Sequence, residues 1–191
     1  MDMMNQRIEL LPPTPRPPLI PILNRIQSFD EHLIQTVATK RPHGRNHPAN
    51  LLMRGLTRTG DWDVWTTLLI GLAIFGEPYR EAALRAAPSL IVTFLVSQGL
   101  KRLARRPRPS VKLPDLSRLL GNPDEFSFPS SHTACAWAIC LGLGYQIPVL
   151  MFPGIALAAG IGWSRIHVGA HYLTDILAGA ALGAGISLIL A

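Results

Sequence analysis

Cysteine is scarce in this chain: there are two, Cys135 and Cys140. They lie five apart in one apolar run, so on a helix they point roughly 140° away from each other and do not pair. No CxxC and no Cys/His spacing suited to zinc occurs, which excludes a disulfide framework and a zinc module; both thiols read as small core residues. The first twenty residues lack a continuous apolar stretch and carry Asp2, Arg7, Glu9 and several prolines, unlike a signal peptide. Insertion into a membrane is therefore expected from internal helices. Charge is also sparse, at 16% of residues against 48% hydrophobic, which leans towards a single membrane domain. Asp and Glu are outnumbered 12 to 18 by Lys and Arg. The basic residues sit mostly in two blocks, Lys40 to Arg58 and Lys101 to Arg118, each bordering an apolar run. Such placement suits juxtamembrane anchoring or an anionic ligand, and excludes nucleic acid as the expected partner.

What is present divides the chain into three. Residues 1–27 hold L-P-P-T-P-R-P-P-L-I-P and read as a flexible, proline-rich arm. Residues 28–60 begin with Phe29, Leu33, Ile34, Val37 and Ala38 at helical spacing, with Ser28 and Glu31 as a capping box. This predicts an amphipathic helix on the membrane surface, followed by a basic connection over 41–58. Residues 61–191 form the membrane domain. Apolar runs predict about five spans, near Trp62–Phe75, Ala82–Leu100, Ser131–Ile147, Pro148–Trp163 and Tyr172–Ala191. Trp62 and Trp65 suit an interfacial belt, and Pro88 is tolerable inside a membrane helix. Gly179 and Gly183 make a GxxxG face expected to pack within the monomer. The fold class is thus all-α: a bundle of about five transmembrane helices with an N-terminal interfacial helix.

Alternating crossings put three polar clusters on one membrane face. They are Lys101 to Pro109 (K-R-L-A-R-R-P-R-P), Pro129 to His132 (P-S-S-H), and Trp163 to Asp175 (W-S-R-I-H-V-G-A-H-Y-L-T-D). Ionisable groups beside apolar spans cost about 2.5–3.5 kcal/mol each near a bilayer centre, so function is the default explanation. Lys101, Arg108 and Arg165 bring cations from separate elements, and guanidinium groups fit a tetrahedral oxyanion such as phosphate. Ser130, Ser131 and the first backbone N–H groups of the third span add donors at a positive helix end. His171 and Asp175 are i and i+4 on one helix face, where a carboxylate orients an imidazole and leaves its other nitrogen as nucleophile. His132 can protonate a leaving oxygen. The set makes a metal-free phosphoryl-transfer site. His167 with His171 forms an H-x-x-x-H pair, but no third ligand is evident. Arg102, Arg105, Arg106 and His167 are read as solvated anchors or packing residues.

These three clusters resemble the motifs of the type 2 phosphatidic acid phosphatase superfamily, which shares a helical core with vanadium haloperoxidases. The family pattern is Lys-x6-Arg-Pro, Pro-Ser-Gly-His and Ser-Arg-x5-His-x3-Asp, matched by Lys101 to Pro109, Pro129 to His132 and Ser164 to Asp175. Ser131 replaces the family glycine. The resemblance, over residues 60–190, implies a lipid phosphate or diphosphate phosphatase without cofactor. His171 would form a phosphohistidine, Asp175 orient it, His132 protonate the leaving group, and Lys101, Arg108, Ser130 and Arg165 hold the phosphate. A polyprenyl phosphate or diphosphate is the first expected substrate, then phosphatidate-type lipids, in a bacterial inner membrane. Arg41, Arg45, Arg54 and Arg58 before the first span favour a cytoplasmic site. A lipid phosphotransferase uses the same phosphohistidine, and a haloperoxidase the same cradle. A silent lipid-binding scaffold is disfavoured because both histidines and the aspartate are present.

Overall fold

The computed structural model describes residues 19–113, 119 and 124–190. Its helices are α1 (Leu19–Lys40), α2 (Pro48–Thr59), α3 (Trp62–Phe75), α4 (Tyr79–Ala104), α5 (Pro109–Lys112), α6 (Ser131–Gln146), α7 (Met151–His167) and α8 (Leu173–Leu190). Helix α1 starts well before Ser28, whose hydroxyl donates to the Arg25 carbonyl at 2.9 Å inside the helix. The expected cap at Ser28 is therefore absent. Residues 19–27, expected in the flexible arm, are its opening turns, because Pro21 falls where a helix needs no N–H. The rest of the arm, 1–18, lies outside the described residues. The connection expected over 41–58 contains α2, started by Pro48 and capped by His47 Nδ1, which accepts from the Ala49 N–H at 3.3 Å. Helix α4 runs unbroken through Pro88.

Helix α6 is the axis of the bundle. All but four of its sixteen residues are buried, and α4, α7 and α8 wall it in. The wall is built from small side chains: Ala82, Ala83 and Ala86 of α4, and Ala158 of α7, are at most 2% exposed. On α8 the glycines carry the contact. A Cβ on Gly183 would stand 2.0 Å from the Ala134 carbonyl oxygen, and one on Gly179 2.6 Å from that of Ser130. The GxxxG face is thus buried inside the monomer, with backbone lying on backbone.

The outer surface inverts the usual pattern. Ile74, Phe75, Leu95, Leu103, Phe152 and Ile189 are large, apolar and exposed. Among the described residues, three helices are long and apolar enough to cross a membrane, within Tyr79–Ala104, Pro148–His167 and Leu173–Leu190; Trp62–Phe75 is apolar but shorter. Helix α1 packs Ile34, Val37 and Ala38 against Ile166, Tyr172 and Ile176, while Ile22, Leu23 and Phe29 remain exposed. Its Asp30 is wholly buried, which ties the helix to the polar end of the bundle.

Gly183→Ala should lower stability by roughly 1–3 kcal/mol through overpacking against α6, read as a lower Tm in detergent. Gly185→Ala, at a position with open space, should stay near wild type.

Candidate active site

The polar end of the bundle gathers the three clusters. The last turn of α4 carries Lys101, 4% exposed, and the chain leaves α4 through Arg105, whose left-handed φ of 46° closes the helix. The prolines then hold 106–108 extended. The returning strand of loop lies alongside, with the Ser127 N–H donating to the Arg106 carbonyl at 2.9 Å. Arg108, 1% exposed, is fixed by donating from Nη1 to the Ala170 carbonyl and from Nε to the Asp124 carbonyl, both at 2.9 Å.

Ser130 caps α6. Its hydroxyl oxygen accepts from the Thr133 N–H at 3.4 Å and the Thr133 hydroxyl at 3.0 Å, and its own N–H donates to the Asp175 carbonyl at 3.1 Å. Ser131, at the family glycine position, lines the cavity. Its hydroxyl is held by Ser97 at 3.0 Å and Gln98 at 3.4 Å, so the extra side chain leans on α4. At the end of α7, Gly169 takes a left-handed φ of 79°, and the Ala170 and His171 N–H groups return to the Arg165 carbonyl at 3.0 and 3.3 Å. That turn sets Arg165 and His171 at one level.

His171 is completely buried. Its Nε2 lies 3.1 Å from Nη1 of Arg108. A guanidinium has no acceptor, so Nε2 presents its lone pair and the proton sits on Nδ1. Nδ1 is 3.6 Å from Oδ2 of Asp175, longer than a hydrogen bond, and has no hydrogen-bond partner among the described residues. The carboxylate instead accepts from the Tyr172 N–H at 2.9 Å and from Arg106 at 2.7 Å. Burial first, then Arg165, Arg108, Lys101 and His132, hold the His171 imidazole well below its ordinary value of 6.5. It is a neutral ring with its lone pair turned into a cationic cluster.

Two observations mark that cluster as an anion site. Arg165 is 3% exposed, yet among the described residues its Nε and Nη2 have no hydrogen-bond partner. Buried donors left in this way cost about 1–3 kcal/mol each. Asp124 meanwhile reaches Nζ of Lys101 at 2.5 Å and pairs closely with Arg108. Burial alone would raise the Asp124 carboxyl, but Lys101 and Arg108 keep it below the usual range. A cavity of about 460 Å³ opens beside this pair, lined by Lys101, Arg108, Ser131 and His132 together with Asp61 and Asp124. Ser130, Arg165, His171 and Asp175 are buried and are not among the residues that line it.

Sequence reasoning missed four participants. Arg106, read as a solvated anchor, instead bridges Asp175 and the buried Asp30, each at 2.7 Å, and stacks 4.2 Å over Tyr172. A signal existed, since in an extended R-P-R-P stretch Arg106 and Arg108 share one side. Asp30, Asp124 and Asp61, the last 2.5 Å from Nε2 of His132, stand in no motif. His167 is apart from the site and bonds Asn50 at 2.9 Å.

The fold recurs in known proteins. Over 141 residues the chain is 33% identical to a decaprenylphosphoryl-5-phosphoribose phosphatase of Mycobacterium tuberculosis, spanning 71% of this chain and 75% of that one. The crystal structure of Aquifex aeolicus LpxE superposes with a TM-score of 0.71 at 27% identity, over 83% of this chain and 92% of that one. The fold is also that of a transmembrane PAP2-type phosphatidylglycerolphosphate phosphatase from Bacillus subtilis, with a TM-score of 0.74, 24% identity, and 87% and 85% coverage. The PAP2 superfamily profile matches residues 82–191, which take in every element that supplies the two histidines and the cradle cations. With that match and the mycobacterial relative, the chain belongs to the PAP2 superfamily.

Proposed function

We propose that this integral membrane protein hydrolyses a lipid phosphate or diphosphate at the membrane surface through a phosphohistidine on His171. The observation that carries the reading is the Arg108 contact at 3.1 Å, which turns the Nε2 lone pair towards the cations that would hold phosphorus. Phosphate displaces the Asp124 carboxylate from Lys101 and Arg108 and takes up the free donors of Arg165. Ser130 and the first N–H groups of α6 complete the cradle. Nε2 attacks phosphorus, the bond to the leaving oxygen breaks, and His132 gives that oxygen a proton. Water then attacks the phosphohistidine, returning a proton to His132 and releasing phosphate. Asp175, at 3.6 Å in the substrate-free state, steadies the proton and growing charge on Nδ1. No step needs a metal.

A polyprenyl phosphate or diphosphate is the favoured substrate, with phosphatidate-type lipids next. The decaprenyl substrate in the mycobacterial relative's name and a cavity walled by Trp62 and Phe94 beside the cradle support an isoprenoid tail. Five crossings are proposed for residues 61–191. Helix α6, enclosed by protein on most sides, need not match the bilayer thickness in the way α4, α7 and α8 must. Helix α1 lies at the interface with Ile22, Leu23 and Phe29 in lipid. The proposed membrane is a bacterial inner membrane, and Arg41, Arg45, Arg54 and Arg58 before the first span favour a cytoplasmic face for the site.

Purified protein in detergent should release phosphate from polyprenyl phosphate with chelator present. His171→Ala should lower the rate by at least about 10⁴-fold, and acid-labile radiolabel should fail to appear on it; equal turnover by that variant would overturn the mechanism. Removing Asp124 removes the internal competitor, so Asp124→Asn should be inhibited by orthovanadate at roughly ten-fold lower concentration.

The pH dependence follows from His171. With its value held below 6.5, the folded state does not take up the proton that the unfolded ring binds below about pH 6.5, so stability falls with pH there. The same shift keeps Nε2 nucleophilic, so the acid limb of kcat/KM should lie well below 6.5. For the topology, Arg80→Cys should react with an impermeant maleimide added outside intact cells; labelling only after lysis reverses the orientation.

A further inference from the structure

His132, the proposed acid, has a carboxylate of its own. Asp61 ends the turn between α2 and α3, where an aspartate would ordinarily cap the helix that follows. Its side chain makes no capping hydrogen bond to α3. One carboxylate oxygen instead meets Nε2 of His132 at 2.5 Å, and the other pairs closely with Arg58. Arg58 in turn holds Asp63 at 2.6 Å, so Asp61 is anchored from the side away from the histidine.

The turn is built to reach that far. Gly60 packs so tightly that an added Cβ would stand 2.7 Å from Cγ2 of Ile161 and 3.4 Å from Cβ of His132. Thr57, one turn earlier in α2, is held to Ser164 of α7 by a hydroxyl pair at 2.6 Å. Asp61, His132, Lys101 and Arg108 all line the same cavity. The carboxylate therefore shares one cavity with the acid and the cradle cations.

We infer that Asp61 is the positioning carboxylate of His132, orienting its ring and opposing the loss of its proton that the cations of the phosphate cradle favour. The proposal rests on His132 being the acid of the reaction described above. A general acid here must retain its proton among cations, and a contacting carboxylate offsets their repulsion. The imidazolium bears a proton on each nitrogen. Asp61 accepts a hydrogen bond from Nε2–H, whose proton stays on the ring, and the Nδ1 proton passes to the leaving-group oxygen as its bond to phosphorus breaks. The ring is left neutral, still held by Asp61, and takes a proton back from the water that attacks the phosphohistidine. Each of the two histidines then has a carboxylate near one nitrogen and works with the other.

The test separates loss of the acid from loss of the fold. Phosphatidate has a poor, alkoxide leaving group that needs protonation; p-nitrophenyl phosphate has a good one that does not. On the full-length protein in detergent, Asp61→Asn should lower kcat/KM for phosphatidate by about 100-fold and for p-nitrophenyl phosphate by roughly ten-fold less, with orthovanadate inhibition retained. Asp61→Glu should recover part of the phosphatidate loss. Equal loss on both substrates, or loss on neither, overturns the role of Asp61. If Asp61→Asn also loses vanadate inhibition, Asp61→Glu decides, by whether its loss is confined to phosphatidate. His171→Ala must silence both substrates; activity in that variant would refute the phosphohistidine reading instead.

Discussion

The contact between α6 and α8 is the constraint from which the site follows. The Gly183 backbone lies on the Ala134 carbonyl so closely that a methyl group would overlap it, and at the end of the same seam the Ser130 N–H donates to the Asp175 carbonyl. That seam fixes the axial register of the two helices to within the length of a hydrogen bond. His132 stands at the start of α6, and His171 stands just before α8. Their mutual position is therefore set by backbone packing, not by flexible side chains. Catalysis needs such placement, since a misplacement of about 1 Å can cost two orders of magnitude in rate. Small residues also let α4 and α7 approach α6, so Lys101 and Arg165 arrive at the same level.

Bringing these groups together buries charge, and the protein offsets part of it pairwise. Arg106 stands between Asp30 and Asp175, and Asp124 stands between Lys101 and Arg108. An uncompensated buried charge costs several kcal/mol, so these pairs are conditions for the bundle end to exist. The Asp30 pair has a second consequence. Because Asp30 belongs to α1 and also accepts from the Thr174 N–H at 3.2 Å, the N-terminal helix is locked to the first turn of α8. Arg41 donates to the His167 carbonyl at 2.9 Å and strengthens the same clamp. What surrounds the bundle end is thus part of its electrostatics.

The convergence of the candidate site residues was legible in the sequence because their spacing is local. Asp175 follows His171 by one helical turn, and Lys101 precedes Arg108 across a chain reversal of fixed length, so short-range geometry suffices. Helical class was legible for the same reason, through long apolar runs. Asp61, Asp124 and Asp30 were not legible, because each acts across a contact made only after folding, and an isolated aspartate carries no periodicity. Ser28 misled in the opposite direction. A capping pattern is real only if the chain upstream cannot continue the helix, and Ile22 and Ile26 continue it with Pro21 safely in the first turn. Helix α2 was hidden by its basic residues, which obscure an apolar face that packs on α7.

The charge count at the cradle bears on which anion it accepts. Lys101, Arg108 and Arg165 converge there, and of the described carboxylates only Asp124 pairs with any of them. Two positive charges remain uncompensated in a region shielded from water, with donors on Arg165 unsatisfied. A phosphate monoester carries between one and a half and two negative charges near neutral pH, with a second pKa of about 6, and so balances that excess. A carboxylate, as Asp124 demonstrates, neutralises half as much and leaves Arg165 untouched. Under the proposed function, exchange of Asp124 for phosphate would satisfy the arginine donors and the excess charge in one step.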